Sequence, residues 1–157
     1  KSIGNSAFRD CKSLKQITIP NSVDTIKDNA FNSCVSLVNI IMPSTVKKIG
    51  KGVFAECLKL TKVTFEKPPS IESIGECAFA GCASLIQITI PSSVRSIGDY
   101  AFSGCLLLTK LIIPSSVTSL GIELFSRSIT IPSNLEIKQN DVIIEEDNIF
   151  DDVLDYF

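Results

Sequence analysis

The sequence contains no histidine. That absence removes the Ser-His-Asp and Cys-His catalytic arrangements and every histidine-containing zinc or iron site, because each needs an imidazole as base or ligand. Long apolar runs are also missing: stretches such as Ile40-Ile41-Met42 and Leu106-Leu107-Leu108 fall far short of the roughly 20 residues that cross a bilayer. Nor is there an excess of positive charge. Fifteen Lys plus Arg against seventeen Asp plus Glu leave a formal charge of −2, which argues against nucleic acid or an anionic membrane as partner. The chain opens on Lys1-Ser2-Ile3 without an initiator Met, a basic n-region or an apolar h-region, and reads as a fragment with no signal peptide in view. No Asn-x-Ser/Thr sequon occurs, since Asn5, Asn21 and Asn32 are each followed by Ser one place too early.

What is present is enough for a folded unit. The chain has 157 residues, 45% of them hydrophobic and 20% charged, so it is either one ordinary domain or a short repeat array. Periodicity decides for repeats. Phe recurs at 8, 31, 54, 79, 102 and 125, with intervals of 23, 23, 25, 23 and 23. Cys follows three places later at Cys11, Cys34, Cys57, Cys82 and Cys105, and Leu three places after that at Leu14, Leu37, Leu60, Leu85 and Leu108. The 25-residue interval contains Glu66-Lys67-Pro68-Pro69-Ser70, an enlarged loop after a strand, where insertions are tolerated.

Each column predicts a structural role. Leu14-x-x-Ile17-x-Ile19-Pro20 alternates with period 2, is rich in β-branched residues and stops at proline, so it reads as a strand. Equivalent strands are expected at 37–42, 60–65, 85–90 and 108–113. Their spacing is too long for hairpins, so neighbours should be parallel. Val23 and Ile26 continue the core through the crossover. Ala30-Phe31-x-x-Cys34 has the spacing of one helical turn, and the glycines at 4, 50, 75, 98 and 121 are expected to break the extended segment ahead of that turn.

These motifs, with Cys82-Ala83-Ser84-Leu85-Ile86-Gln87-Ile88-Thr89-Ile90-Pro91-Ser92-Ser93-Val94-Arg95-Ser96-Ile97-Gly98 as the fullest example, resemble the BspA-like leucine-rich repeats from Ile3 to about Pro132. The resemblance implies a repeat solenoid: a curved leucine-rich-repeat fold, strand-dominated and mixed α/β, with a parallel β-sheet on the concave face and short strands and helical turns on the convex side. It also implies a surface antigen or adhesin, at the cell surface or secreted, that binds a protein or glycan. The pattern breaks after Phe125, where Cys and Leu are absent and Ile129-Thr130-Ile131-Pro132 arrives five residues early. The expected organisation is a solenoid over 1–132 and an acidic cap or tail over 133–157.

Charge follows that boundary. Residues 133–157 hold eight carboxylates against Lys138, a net −7, whereas 1–132 hold 14 basic and 9 acidic residues, a net +5. The tail reads as a polar cap on the solenoid end, a flexible extension, or an acidic docking motif ending Asp151-Asp152-Val153-Leu154-Asp155-Tyr156-Phe157.

Five of the six cysteines share one column, which should stack at roughly the 4.8 Å strand spacing. That is too far for the Cβ separation of about 3.8 Å that a disulfide prefers, so they are expected to be reduced, buried and small-apolar in role. A column spread along an axis does not converge on a metal. Cys77 belongs to a different column, with Ser6, Asn29, Gly52, Tyr100 and Glu123. That column is expected to accept any residue and face solvent, making Cys77 an incidental thiol or a redox or crosslinking site.

Alternation assigns the outward face of the strands. With Ile17 and Ile19 inward, Gln16 and Thr18 point out, and so do Asn39, Ile41, Lys62, Thr64, Gln87, Thr89, Lys110 and Ile112. This row is the candidate partner-binding surface, to be weighed against simple solvated strand residues. No catalytic residue, metal or cofactor is expected, because regular rungs offer shallow surfaces rather than deep pockets. A binding module is the leading expectation, and a structural spacer in a longer array the alternative.

Overall fold

A computed structural model describes residues 1–125, 136–139 and 142–144. In chain order its strands are β1 (Ser2–Ile3), β2 (Thr25–Ile26), β3 (Asn39–Met42), β4 (Lys48–Ile49), β5 (Lys62–Phe65), β6 (Ser73–Ile74), β7 (Gln87–Thr89), β8 (Ser96–Ile97), β9 (Lys110–Ile113), β10 (Ser119–Leu120), β11 (Glu136–Gln139) and β12 (Val142–Ile144). They form a parallel-strand solenoid of about five turns. The two-residue strands make one sheet in the order β1-β2-β4-β6-β8-β10. Its inward residues, Ile26, Ile49, Ile74 and Ile97, are buried.

The longer strands make the opposite face in two pieces, β3–β5 and β7-β9-β11-β12. The break between β5 and β7 follows the rung that carries the Glu66–Ser70 insertion. There Val63 and Phe65 are only half-buried, whereas their counterparts Ile40 and Met42 are buried. Residues 17–19 form no assigned strand, although Val38 N–H donates to the Lys15 carbonyl at 3.1 Å. Among the described residues the first rung is stacked on one side, by the rung of Phe31.

Among the described residues there is no helix, which corrects the helical turn expected around Ala30-Phe31-x-x-Cys34. Two columns have positive φ: Ser6, Asn29, Gly52, Cys77, Tyr100 and Glu123 lie two places before Phe, and Asp10, Ser33, Glu56, Gly81 and Gly104 lie two places after. A left-handed residue every four positions prevents a right-handed helix from propagating. N–H groups therefore alternate. Asn32 and Cys34 donate within the rung, to Asn29 and Phe31 at 3.1 and 3.2 Å, while Asn29, Phe31 and Ser33 donate across to Lys51, Val53 and Ala55 at 2.8, 2.9 and 2.8 Å.

The core follows the columns. Phe31, Phe54, Phe79 and Phe102 are fully buried and are the largest of the fully buried side chains among the described residues. Rings from Phe8 to Phe102 stack nearly parallel, successive rings within 12° of one another, with centroids 5.1 to 5.6 Å apart, a stacked arrangement within the centroid range aromatic pairs favour. The stack loosens at Phe125, which is tilted by 34° at 6.5 Å from Phe102. Past this point Ile129–Pro132 lies outside the described residues. The sheet is continued by β11, which pairs in parallel with β9 (Glu136 beside Lys110), and β12 then closes the edge antiparallel to β11.

Candidate functional site

Alternation places the candidate row on the outer face of the longer strands. Gln16, Thr18, Asn39, Ile41, Lys62, Gln87 and Thr89 are exposed, while Thr64, Lys110 and Ile112 are half-buried. Register sets Asn39 beside Lys62 and Ile41 beside Thr64, and Gln87 beside Lys110 and Thr89 beside Ile112. The row is therefore two paired patches, separated where β5 and β7 fail to pair. Gln16 and Thr18 lie outside any strand.

A shallow groove of about 350 Å³ opens at one end of this face, lined by Ile17, Thr18, Ile19, Pro20, Asn21, Ile41, Pro43 and Glu66. It brings together two of the candidate residues, Thr18 and Ile41. Pro20 and Pro43 shape it because neither has an N–H to continue a ladder, so the chain turns away there. Glu66 places a carboxylate at its rim.

The thiol column is built by the same stacking. Cys34, Cys57, Cys82 and Cys105 are buried and free, and Cys11, on the first rung, is free and half-buried. Each buried thiol donates to the carbonyl of the Phe one rung back: Cys34 to Phe8 at 3.1 Å, Cys57 to Phe31 at 3.3 Å, Cys82 to Phe54 at 3.2 Å and Cys105 to Phe79 at 3.3 Å. Burial pushes these thiols up, Cys34 to about 11 and Cys57 and Cys105 to about 12, with Cys82 well above its ordinary value. They are structural donors, not nucleophiles.

Residues 1–68 and 64–150 match the BspA type leucine rich repeat region, in six copies. The chain belongs to this family. Among solved structures, this BspA-type chain is similar to the T. pallidum leucine rich repeat protein at 36% identity with a TM-score of 0.62, over 70% of this chain and 50% of that one. It also shares its fold with a leucine rich cell surface protein from Faecalibacterium prausnitzii (24% identity, TM-score 0.52, 87% and 50% covered). A leucine-rich repeat protein from Eubacterium ventriosum has the same fold (24%, 0.63, 92% and 45%). The chain spans half the length of the T. pallidum protein. No match was found among curated proteins.

Within this BspA-type frame Cys77 is not a freely solvated residue, contrary to its sequence-based assignment. It is half-buried with φ of 54°, and its N–H donates to the Asp99 carbonyl at 2.8 Å. The column demands a left-handed backbone, so it does not accept any residue at equal cost. Burial, followed by the Glu76 carboxylate, raises the Cys77 thiol, and Lys51 only partly offsets this. Lys51 is itself held by Glu76 at 2.9 Å. This is the opposite of the electropositive setting that activates a cysteine. Among the described residues no cluster of His, Cys, Asp or Glu suits a metal ion, and no helix is long and apolar enough to cross a membrane.

Sequence reasoning missed one feature. Val38, Leu58, Ile86, Leu106 and Leu107 are exposed at the turn running from Cys to the residue after Leu. Strand alternation is silent about a turn, but the signal was available: Leu58 and Leu106 share a column with Lys12.

Proposed function

We propose that the chain is a non-enzymatic recognition module that binds a protein or glycan with the outer face of its longer strands. The observation that carries this reading is the paired row Asn39–Lys62 and Gln87–Lys110 beside Ile41–Thr64 and Thr89–Ile112. It offers amide, hydroxyl and ammonium donors on a rigid backbone, with no carboxylate among the ten candidate residues. Such a surface recognises through side-chain hydrogen bonds around a few apolar positions, the composition of an ordinary transient interface. A place at the cell surface and an adhesive role rest on family membership.

A purely architectural role in a longer array is the second reading. It is supported by the first rung, where Ile3, Phe8, Cys11, Leu14 and Ile17 are only partly buried though packed on the core, a surface that another rung of the same pattern would cover.

Binding of the purified chain to protein and glycan arrays, repeated with Lys62→Glu and Lys110→Glu together, tests the first reading. Specific capture that weakens, with an altered salt dependence, in the double variant is the expected result. Capture by neither protein favours the architectural role, and unchanged capture moves the site off this face.

A further inference from the structure

The seven large hydrophobic side chains exposed among the described residues are not scattered. Five of them, Val38, Leu58, Ile86, Leu106 and Leu107, are 40 to 56% exposed and fall within one turn of the repeat, from the residue after Cys to the residue after Leu. The backbone explains their direction. Leu58 N–H donates to the Glu56 carbonyl at 2.9 Å and Leu106 N–H to Gly104 at 3.0 Å. This tight turn sends Cys57 and Cys105 inward and the next side chain outward. Thr61 N–H to the Val38 carbonyl and Thr109 N–H to the Ile86 carbonyl, both 2.8 Å, hold successive rungs side by side along this edge. Isolated exposed aliphatics need no explanation, but a row of them does.

The charge beside this row has one dominant sign. Lys12, Lys15 and Lys59 stand on the same turns, and Lys62 and Lys110 on the first outward position of the adjoining strands. Within residues 1–125 none of the five is ion-paired. On the next strand, β11, Glu136 stands beside Lys110 in register, and over residues 1–125 the edge carries two carboxylates. Asp10 is paired with Arg9 at 3.5 Å, and the Glu56 side chain leans over Gly81, where an added Cβ would lie 2.5 Å from its Oε1.

We propose that this edge, with the adjoining lysines, docks an acidic protein segment whose aliphatic or aromatic side chains seat on Leu58, Ile86, Leu106 and Leu107. The inference rests on the reading of the chain as a recognition module, and it moves the centre of recognition from the strand face to its margin. Aliphatic seats favour a polypeptide over a glycan, because they offer dispersion and burial rather than hydrogen bonds. The lysines exclude a basic partner and speed the encounter of an acidic one.

The test uses the full chain and fluorescein-labelled short peptides of mixed Glu and Leu, mixed Glu and Ser, and mixed Lys and Leu, read by fluorescence anisotropy. The Glu/Leu peptide is expected to bind. Replacing its Leu or reversing its charge should weaken binding roughly tenfold or more, as should Leu106→Ser with Leu107→Ser, since truncating seated anchors removes most of an interface's energy. Lys62→Gln with Lys110→Gln should weaken binding and flatten its salt dependence. Equal binding of the Lys/Leu peptide, or an edge variant that binds like the parent, overturns the proposal. Loss in Asn39→Ala with Gln87→Ala while the edge variant is unaffected overturns the edge and leaves the strand-face reading standing. Peptide binding at the edge by a chain that captures nothing through its strand face has the reverse outcome.

Discussion

The carbonyl oxygen of Phe31 accepts two hydrogen bonds, one from Cys34 N–H in its own rung at 3.2 Å and one from the Cys57 thiol of the next rung at 3.3 Å. Cysteine suits this column because it is small enough to stack and still has a donor for a carbonyl lone pair that would otherwise be buried unused. Cys57→Ala removes that donor and leaves a small void. A loss of about 1–2 kcal/mol in urea unfolding is expected, and no loss would make the thiol contact incidental.

The same column ties stability to alkaline pH. Burial raises Cys34 to about 11 and Cys57 and Cys105 to about 12, whereas an unfolded thiol titrates near 8.5. Above that value the unfolded chain releases protons that the folded chain keeps, so stability is full below about pH 8.5 and falls as pH rises toward 11–12. Lysines and tyrosines contribute in the same range, so the informative measurement is a difference. Between pH 7 and 10.5 the urea midpoint of the parent should fall more steeply than that of Cys57→Ala; parallel slopes would contradict the burial of this thiol.

Thiol labelling of the native chain at pH 8 should modify Cys11 and Cys77, both half-buried, well before the other four. Cys11 joins Cys77 because it is half-buried where the other four members of its column are buried. Mass spectrometry of partially labelled protein decides the order. Early modification of Cys57 or Cys82 would contradict the stacked column.

Phe79 is sandwiched between Phe54 and Phe102 at 5.5 and 5.6 Å and is fully buried. Phe79→Ala should cost about 3–5 kcal/mol and broaden the transition, because the loss falls on one rung and its two interfaces. Phe8→Ala should cost markedly less, since Phe8 is half-buried and stacks on one side only. Equal melting temperatures for the two variants would overturn this ranking.

Column spacing made the fold legible, because every rung repeats one packing problem and Phe, Cys, Leu and Ile solve it at the same offsets. Backbone handedness was less legible: Cys77 and Tyr100 look like arbitrary surface residues, yet both occupy left-handed positions that side-chain chemistry does not announce. The end of the array was less legible too: β11 begins at Glu136, later after Phe125 than β9 begins after Phe102, an offset that the spacing of the earlier rungs does not foretell. For the candidate site, alternation found the outward strand residues, but it carries no information about turns and so passed over Leu106 and Leu107.

The glycine after each inward Ile has a stricter purpose than breaking an extended segment. None of Gly50, Gly75, Gly98 and Gly121 has φ in the left-handed range, so conformational freedom is not what they supply. Stacking is. A Cβ on Gly75 would lie 2.5 Å from the Gly50 carbonyl carbon, 2.6 Å from its oxygen and 2.7 Å from Lys51 N. All three are backbone atoms of the preceding rung and have no rotamer through which to escape. Gly98 and Gly121 would meet Asp or Glu backbone atoms of the preceding rung at closer range still. Gly75→Ala must therefore push two rungs apart along the whole two-residue-strand sheet, and a cost of about 1–3 kcal/mol is expected from overpacking. Gly4 holds the same place in the first rung and has nothing within 4 Å of an added Cβ. Gly4→Ala should be neutral or slightly stabilising, because alanine narrows the unfolded ensemble where the native backbone tolerates it. Urea unfolding of the two variants side by side checks the argument. Similar costs at both positions would mean that glycine is required for its backbone alone, and the close-approach account would fail.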